Sequence, residues 1–276
     1  MVHIIADALL DAPAPRVGLT VAGLAVGDSL VSVWRTADGE RSPVRGARRV
    51  IMNDAAYVID WDAPLGRPIS YEAEVISGPL GAVRAYANPV TLDSPTGWLM
   101  DPLVPQSAVP VVGGKGDEIY LRSQALSQLE YQADVSIFNV MGSDKPLALF
   151  GQRMAERGLD TSMSTRSAEQ NARLEKLLKS TAQLLFRPLP GWGTRTLPGS
   201  MFLANATATQ VPVDVSWGGD LTWWDLKSDV VQAPTIRVLT ATFTYGDVEI
   251  LMDTYGQKQA LMAGKTYLDD LKNPLG

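Results

Sequence analysis

The sequence predicts a mainly β protein whose second domain is α+β. Short apolar runs with period-two alternation, separated by turn residues, fill the first ninety residues, and this spacing is typical of a β-sandwich. A proline-rich segment follows at 89–110, and only beyond it does a helical pattern with a capping box appear. We therefore divide the 276 residues into an N-terminal β-sandwich (1–90), a connector (91–112) and a C-terminal α+β domain (113–276) in which helices pack on an antiparallel sheet.

The N-terminal part is predicted to be a sandwich of the fibronectin or immunoglobulin type. Apolar residues alternate with small or polar ones near residues 17–21, 30–34, 50–59 and 69–75. An Asp38-Gly39 pair between two such runs is a strong signal for a two-residue hairpin turn. Tyr71 enters a strand after a proline-containing turn, so it is either a tyrosine corner or an ordinary core tyrosine. A cluster of arginines is interpreted as a solvated rim or, less simply, a salt-bridge patch between subunits: Arg41, Arg45, Arg48 and Arg49.

Five prolines mark the connector. Proline disfavours helix and central strand because it lacks a backbone N–H. We expect an extended segment on which Trp98 and Leu99 pack against a neighbouring surface, ending in a glycine hinge at 113–116. The five are Pro89, Pro95, Pro102, Pro105 and Pro110.

The C-terminal part alternates between strand-like and helical patterns. The segment 167–180 opens with a capping-box Ser and carries leucines at helical spacing, so it predicts a helix. Strands are predicted near 133–137, 146–150, 182–186, 202–204, 211–215 and 236–245, with helices at 248–255 and 266–272.

Composition excludes most catalytic chemistry. The chain has no Cys and one His, at position 3, so thiolate nucleophiles, iron–sulfur clusters and clusters of His metal ligands are ruled out. We predict no enzyme activity, no cofactor and no metal site. With 24 basic against 30 acidic residues, a net charge of -6 argues against nucleic acid as a partner. No apolar run has the length of a membrane span, and the N-terminus is a poor signal peptide.

Short motifs add no chemistry. Gly264-Lys265-Thr266 lacks the first glycine of a phosphate loop, and the glycines around Trp192 lack the third member of a dinucleotide fingerprint. Close carboxylate pairs are interpreted as solvated surface groups, not as a glycosidase site: Asp60 with Asp62, Asp220 with Asp225, and Asp247 with Glu249.

Aromatic residues are the most unusual local feature. Four of the seven Trp fall between residues 192 and 224, in a glycine-rich region. Exposed Trp on loops either anchors a protein interface or stacks on sugar. For the adjacent Trp223 and Trp224, strand geometry predicts opposite faces, one in the core and one toward a partner or loop. The candidate interface or glycan contacts are Trp98, Leu99, Trp192, Trp217, Trp223 and Trp224.

The segment from residue 31 to 75, VSVWRTADGERSPVRGARRVIMNDAAYVIDWDAPLGRPISYEAEV, resembles the N-terminal sandwich of minor tail proteins from long-tailed bacteriophages of actinobacteria. In that family an Arg-bearing strand, an Arg-Gly turn and a D-x-x-A-P-x-G-x-P-x-x-Y segment recur in this order. Residues 241–271 and the helix-to-strand segment 167–191 resemble the same family. The matching positions of the third motif are Asp60, Ala63, Pro64, Gly66, Pro68 and Tyr71.

The resemblance implies a structural virion component of the tail tip, close to the distal tail protein. Such proteins form symmetric rings or trimers that join the tail tube to host-recognition parts, so the expected partners are further copies of the chain and other tail proteins. The expected location is the virion, after synthesis in the bacterial host cytoplasm. The alternative is a carbohydrate-binding module that adheres to host cell-wall glycan through the Trp-rich region.

Overall fold

The computed structural model describes residues 1–113, 118–127, 133–139, 141, 144–153, 157–192, 197–213, 218–235 and 254–266. In this part of the chain, 51% of the residues are in strands and 9% in helices. The prediction of a mainly β protein is therefore confirmed. The chain divides into two compact units, each assembled from separate segments: Met1–Pro95, Pro102–Ala108 and Pro234–Gly276 in the first, and Thr96–Asp101 with Val109–Ala233 in the second.

Strands β1 to β9, in the first unit, form two sheets. The first sheet has the order β1-β2-β6, and the second has the order β4-β3-β7-β8, with β5 also pairing with β3 and β9 with β7. The strands are β1 (His3–Leu9), β2 (Arg16–Ala22), β3 (Asp28–Ala37), β4 (Glu40–Pro43), β5 (Val50–Asn53), β6 (Ala56–Asp60), β7 (Pro68–Ser77), β8 (Val83–Tyr86) and β9 (Val90–Thr91).

Local sequence accounts for this pattern. The β3–β4 hairpin pairs Ala37 with Glu40, and the two residues between them, Asp38 and Gly39, both have positive φ. This is the backbone that the predicted Asp-Gly turn requires. On β7, alternate side chains are buried from Ile69 to Val75, as the period-two pattern predicts.

The second unit contains a closed seven-stranded barrel. Around the barrel the order is β19-β16-β12-β11-β10-β17-β18, and β18 pairs back with β19, while β15 pairs with the outer part of β19. The strands are β10 (Gly97–Asp101), β11 (Val104–Gly113), β12 (Ile119–Leu121), β13 (Ala133–Phe138), β14 (Leu147–Arg153), β15 (Leu159–Asp160), β16 (Met163–Thr165), β17 (Gln183–Arg187), β18 (Met201–Pro212) and β19 (Thr222–Val231).

One long helix packs into the core of this unit. Helix α1 (Ala168–Ser180) begins after Ser167, whose side chain accepts a hydrogen bond from the backbone N–H of Gln170. Leu174 and Leu177 belong to the same buried cluster as the inward side chains of the barrel strands. The predicted capped helix is thus confirmed. A second helix, α2 (Tyr255–Leu261), has Thr254 as its N-cap.

The proline-rich segment differs from its prediction. Where the sequence predicts an extended connector without a central strand, β10 and β11 are two strands that each have a neighbouring strand on both sides. Pro102 lies in the turn between them, and β11 pairs with β12 only from Val111 onward, past the last proline. The missing N–H groups therefore fall outside that ladder, which is the condition under which a strand tolerates proline.

The C-terminal part also differs from its prediction. The sequence predicts an antiparallel sheet with packed helices, but the strands close into a barrel, and β11 and β12 pair in parallel. The long β18–β19 pairing, from Phe202 opposite Val231 to Pro212 opposite Thr222, closes the ring. The segment predicted as a separate strand at 211–215 begins as the end of β18. The strand predicted at 236–245, most of the helix predicted at 248–255 and all but the first residue of that predicted at 266–272 lie outside the described residues.

Candidate functional site: an exposed apolar hairpin

Strands β13 and β14 form a two-stranded sheet of their own. They pair antiparallel, with Val135 opposite Phe150 and Phe138 opposite Leu147. We call residues 133–138 and 147–153 the apolar hairpin. Within the described part of the chain, neither of its strands pairs with a third strand. An isolated two-stranded hairpin is at best marginally stable in water, so this element needs additional contacts.

Both faces of the apolar hairpin carry exposed apolar side chains. The pairing places Val135, Ile137 and Phe150 on one face, where they are 38%, 66% and 77% exposed. Phe138, Leu147 and Leu149 lie on the opposite face and are 51–57% exposed. A strand at a protein surface normally turns one polar face to water. Here neither face does so.

The apolar hairpin therefore combines two features of an interaction surface. Contiguous exposed apolar area of this kind is rare on monomeric proteins and marks contact sites. Within the described part of the chain its outer strand edges pair with no further strand, and a free strand edge favours pairing with another chain. Sequence analysis predicts the two strands but not their exposure. The run Leu147–Phe150 consists of four apolar residues without alternation. This pattern indicates that both faces of the strand are apolar, but it is equally typical of a strand buried on both faces.

Three of the six residues predicted as contacts pack in or against the core of the second unit. Leu99 is buried in the core cluster of the second unit, and Trp224 is 4% exposed there. The Trp224 indole N–H donates to the Asn171 side-chain oxygen on α1, at 3.0 Å. Trp98 is half-buried on β10, opposite Arg187 of β17. Trp217 lies outside the described residues.

Trp192 packs against the same core. Its ring lies directly over two glycines, because a Cβ built on Gly97 would be 2.8 Å from the ring and one on Gly113 3.0 Å from it. A side chain at Gly97 would collide with the ring, and one at Gly113 would require the ring to shift by a few tenths of an ångström. This face of Trp192 is therefore used in packing, while a contact of its remaining, partly exposed surface with a partner or glycan stays a prediction.

Trp223 is the described Trp that fits the prediction of an outward contact. Along β19 the burial alternates, with Trp224 inward and Trp223 outward, as strand geometry predicts for adjacent residues. Trp223 remains 38% exposed.

Buried charges in the first unit form a structural network. The Asp60 carboxylate accepts two hydrogen bonds from Arg35, at 3.0 and 3.1 Å, one from the Tyr71 hydroxyl at 2.9 Å and one from the Asp62 backbone N–H at 3.0 Å. Arg45 binds Asp62 through two hydrogen bonds of 2.6 and 2.8 Å. Burial acts to lower the pKa of Arg35, but Asp60, Asp62 and Tyr71 outweigh it and raise that pKa.

This network corrects one sequence interpretation and decides between the two alternatives for Tyr71. Asp60 and Asp62 are buried in ion pairs and are not solvated surface acids. Tyr71 is a core tyrosine whose hydroxyl donates to a carboxylate. The signal that sequence reasoning missed is the arginine on the neighbouring strand, Arg35, which lies opposite Tyr71 in the β3–β7 register.

The four arginines predicted to form a rim differ in their surroundings. Arg45 is buried in the network. Arg41 lies over the Trp34 ring, 3.9 Å from its centroid, whereas Arg48 and Arg49 are exposed. Arg41 is exposed as well, so three of the four arginines lie at the surface as a solvated rim requires, and only the Arg45 side chain is largely covered.

Comparisons of the chain with protein-family models, with curated proteins and with solved structures found no match. The described residues contain no group of three or more His, Cys, Asp or Glu placed to hold a metal ion. Among the same residues, neither helix is long and apolar enough to cross a lipid bilayer.

Proposed function

We propose that the protein is a structural component of a bacteriophage tail tip. In this role, copies of the chain form a symmetric assembly that joins the tail tube to host-recognition parts. The observation that carries the proposal is the apolar hairpin, which exposes apolar side chains on both faces. A subunit that functions alone has no reason to keep such a surface in water, whereas a subunit of an assembly buries it.

The occupant of this surface is, in our proposal, a second copy of the same chain. A hairpin that is apolar on both faces cannot be covered by laying one face on a flat partner, because the other face stays wet. Insertion between the surfaces of a neighbouring subunit covers both. Such a contact uses different surfaces on the two partners, and repeated around an axis it closes a ring.

The first unit supports the tail-protein resemblance through its quoted motif. We propose that its two sheets form a fibronectin-like sandwich, because Asp60 at the end of β6 bonds Arg35 and Tyr71, which belong to the other sheet. The D-x-x-A-P-x-G-x-P-x-x-Y segment then has a physical role. Its first and last residues bond each other, and Ala63 and Leu65 between them are fully buried.

The assembly is tested by the mass of the particle in solution. Light scattering of the purified chain is expected to report an oligomer, and Ile137→Ser with Phe150→Ser is expected to reduce it to the monomer. The matched control is Ile51→Ser with Tyr86→Ser, since Ile51 is 66% exposed, as Ile137 is, and Tyr86 is 69% exposed. The control is expected to stay oligomeric, because its residues lie on the first unit.

Antibody labelling of virions tests the location independently, with label expected at the tail tip. A wild-type chain that is a strict monomer and is absent from the tail tip would overturn the proposal. If both pairs of substitutions dissociate the oligomer equally, the assembly does not depend on the apolar hairpin, and the contact assigned to it is wrong.

A further inference from the structure

A second surface of the barrel carries a different chemistry. Strands β12, β16 and β19 are adjacent, and their register places Tyr120 opposite Ser164 and Ser164 opposite Trp223. These three side chains therefore lie in one row across the strands. The central Ser164 is only 1% exposed, while the Trp223 ring is 38% exposed. The row thus places two aromatic rings on either side of a small, covered residue.

Each ring carries a stacked guanidinium. The Arg122 guanidinium lies over the Trp223 ring, 4.6 Å from its centroid, and that of Arg166 lies over the Tyr120 ring at 4.7 Å. Arg166 also donates from Nε to the Tyr120 hydroxyl, at 2.6 Å. Arg122 forms an ion pair with Asp225. We call these five residues, Tyr120, Arg122, Arg166, Trp223 and Asp225, the guanidinium face.

Stacking leaves the donors of these arginines usable. A guanidinium has five N–H groups in its plane, and an aromatic ring below that plane does not consume them. In the described part of the chain no carboxylate forms an ion pair with Arg166, so the face carries two positive charges against one negative charge. Lys227, two positions beyond Asp225 on β19, does not add to this excess, because Asp160 lies opposite it in the β15–β19 register.

In the first unit, a similar stack of an arginine on a tryptophan is surrounded by equal numbers of positive and negative side chains. There Arg41 lies over Trp34, but Glu72 and Glu74 face Arg41 and Arg84, so that the charges cancel. Glu74 additionally accepts the Trp34 indole N–H, at 2.9 Å. The guanidinium face differs by its excess of positive charge, and this is the property that an anionic ligand would recognise.

We propose that the guanidinium face binds an acidic sugar, that is, a pyranose unit bearing a carboxylate or phosphate group. The exposed part of the Trp223 ring offers apolar contact to sugar C–H groups. Asp225 can accept hydrogen bonds from hydroxyls, which a sugar supplies in number. Arg122 and Arg166 donate to the acidic group in the fork geometry that carboxylate and phosphate fit. This proposal is independent of the assembly proposed above, because it uses different residues and a different surface.

Nucleic acid fits this surface less well. Single-stranded nucleic acid needs free aromatic faces for base stacking and a basic groove along the backbone. Here the Asp225 carboxylate forms an ion pair with Arg122, and the whole chain has a net charge of -6.

The test is equilibrium binding of the full chain to defined polymers. Polygalacturonate provides the carboxylate, phosphomannan the phosphate and dextran a neutral control, while oligothymidylate tests nucleic acid. We expect binding to at least one of the two acidic polymers, with a steep loss at high salt, because exposed charge interactions are screened. Which acidic polymer binds tells carboxylate from phosphate as the natural group.

Three single variants assign the binding to the face. Arg122→Gln, Arg166→Gln and Trp223→Leu are each expected to weaken binding at least about tenfold, which corresponds to about 1.4 kcal/mol. Arg41→Gln is the matched control, since Arg41 is also stacked on a Trp, and it is expected to leave binding unchanged. Circular dichroism verifies that each variant is folded.

Each remaining outcome overturns the proposal. If dextran binds as tightly as the acidic polymers, the acidic group is not what the protein recognises. Tighter binding of oligothymidylate identifies the ligand as nucleic acid. No binding of any polymer, or equal loss in the Arg41→Gln control, shows that the guanidinium face only stiffens the barrel surface.

Discussion

Strand β19 and the apolar hairpin belong to the same unit but differ in which of their side chains are exposed to water. On β19 burial alternates strictly from Thr222 to Asp229, so that one face fills the core and the other faces solvent. The apolar hairpin shows no such division, since its exposed apolar side chains lie on both faces. The apolar side chains of β19 are thus largely buried within one chain, whereas those of the apolar hairpin need a further partner to cover them.

The largest effect is expected at the inward side of β19. Trp224→Ala removes a buried indole together with its 3.0 Å hydrogen bond to the Asn171 oxygen on α1, which keeps only the Thr165 hydroxyl as a donor, at 3.3 Å. We expect a loss of about 3–5 kcal/mol in the free energy of unfolding, the usual range for a buried aromatic cut to Ala. Urea unfolding followed by circular dichroism measures it. A loss below about 1 kcal/mol would mean that β19 does not depend on its inward face.

An intermediate effect is expected where the barrel backbone meets Trp192. In Gly97→Ala the new Cβ would lie 2.8 Å from the indole ring and 3.0 Å from the Arg187 carbonyl oxygen. Because a ring and a backbone atom cannot both move freely, we expect a loss of about 1–3 kcal/mol, as for other overpacked sites.

The same unfolding experiment measures this change, and Gly39→Ala provides a contrast, since no atom lies within 4 Å of a Cβ at that position. Gly39→Ala is strained only by its positive φ. If the fluorescence of Trp192 and the free energy of unfolding are both unchanged in Gly97→Ala, the indole ring does not pack over Gly97 as described.

The smallest effect on the stability of a single subunit is expected in the apolar hairpin. Leu149→Ser changes a side chain that is 57% exposed, and surface substitutions usually stay within about 0.5 kcal/mol. The measurement is urea unfolding at a dilution at which light scattering reports monomer. A loss above about 2 kcal/mol would show that the hairpin belongs to the core of its own subunit, and the contrast with β19 would fail.

Much of the fold follows from local signals. The Asp38-Gly39 turn, the alternation along β7 and the capped helix α1 are each determined by residues within a few positions of one another. The opposite faces of Trp223 and Trp224 follow from strand geometry alone. Such features depend on backbone sterics and on the period of the side chains, which a sequence displays directly.

The candidate sites depend on contacts that sequence distance hides. Arg35 reaches Asp60 across 25 positions and Arg122 reaches Asp225 across 103, and no local pattern links such residues. The prolines of 89–110 also mislead, because their effect on a strand depends on which backbone groups the neighbouring strands use.

The sequence by itself determined the mainly β class, the turns, the capped helix and the exclusion of thiol chemistry and of clustered histidine ligands. Only the tertiary structure decided that the C-terminal strands close into a barrel, that Leu99 and Trp224 belong to its buried core, and that two adjacent apolar strands remain exposed. The reason is that an apolar run predicts a strand but not its surroundings. Whether such a strand is core or contact surface depends on which other segments fold over it.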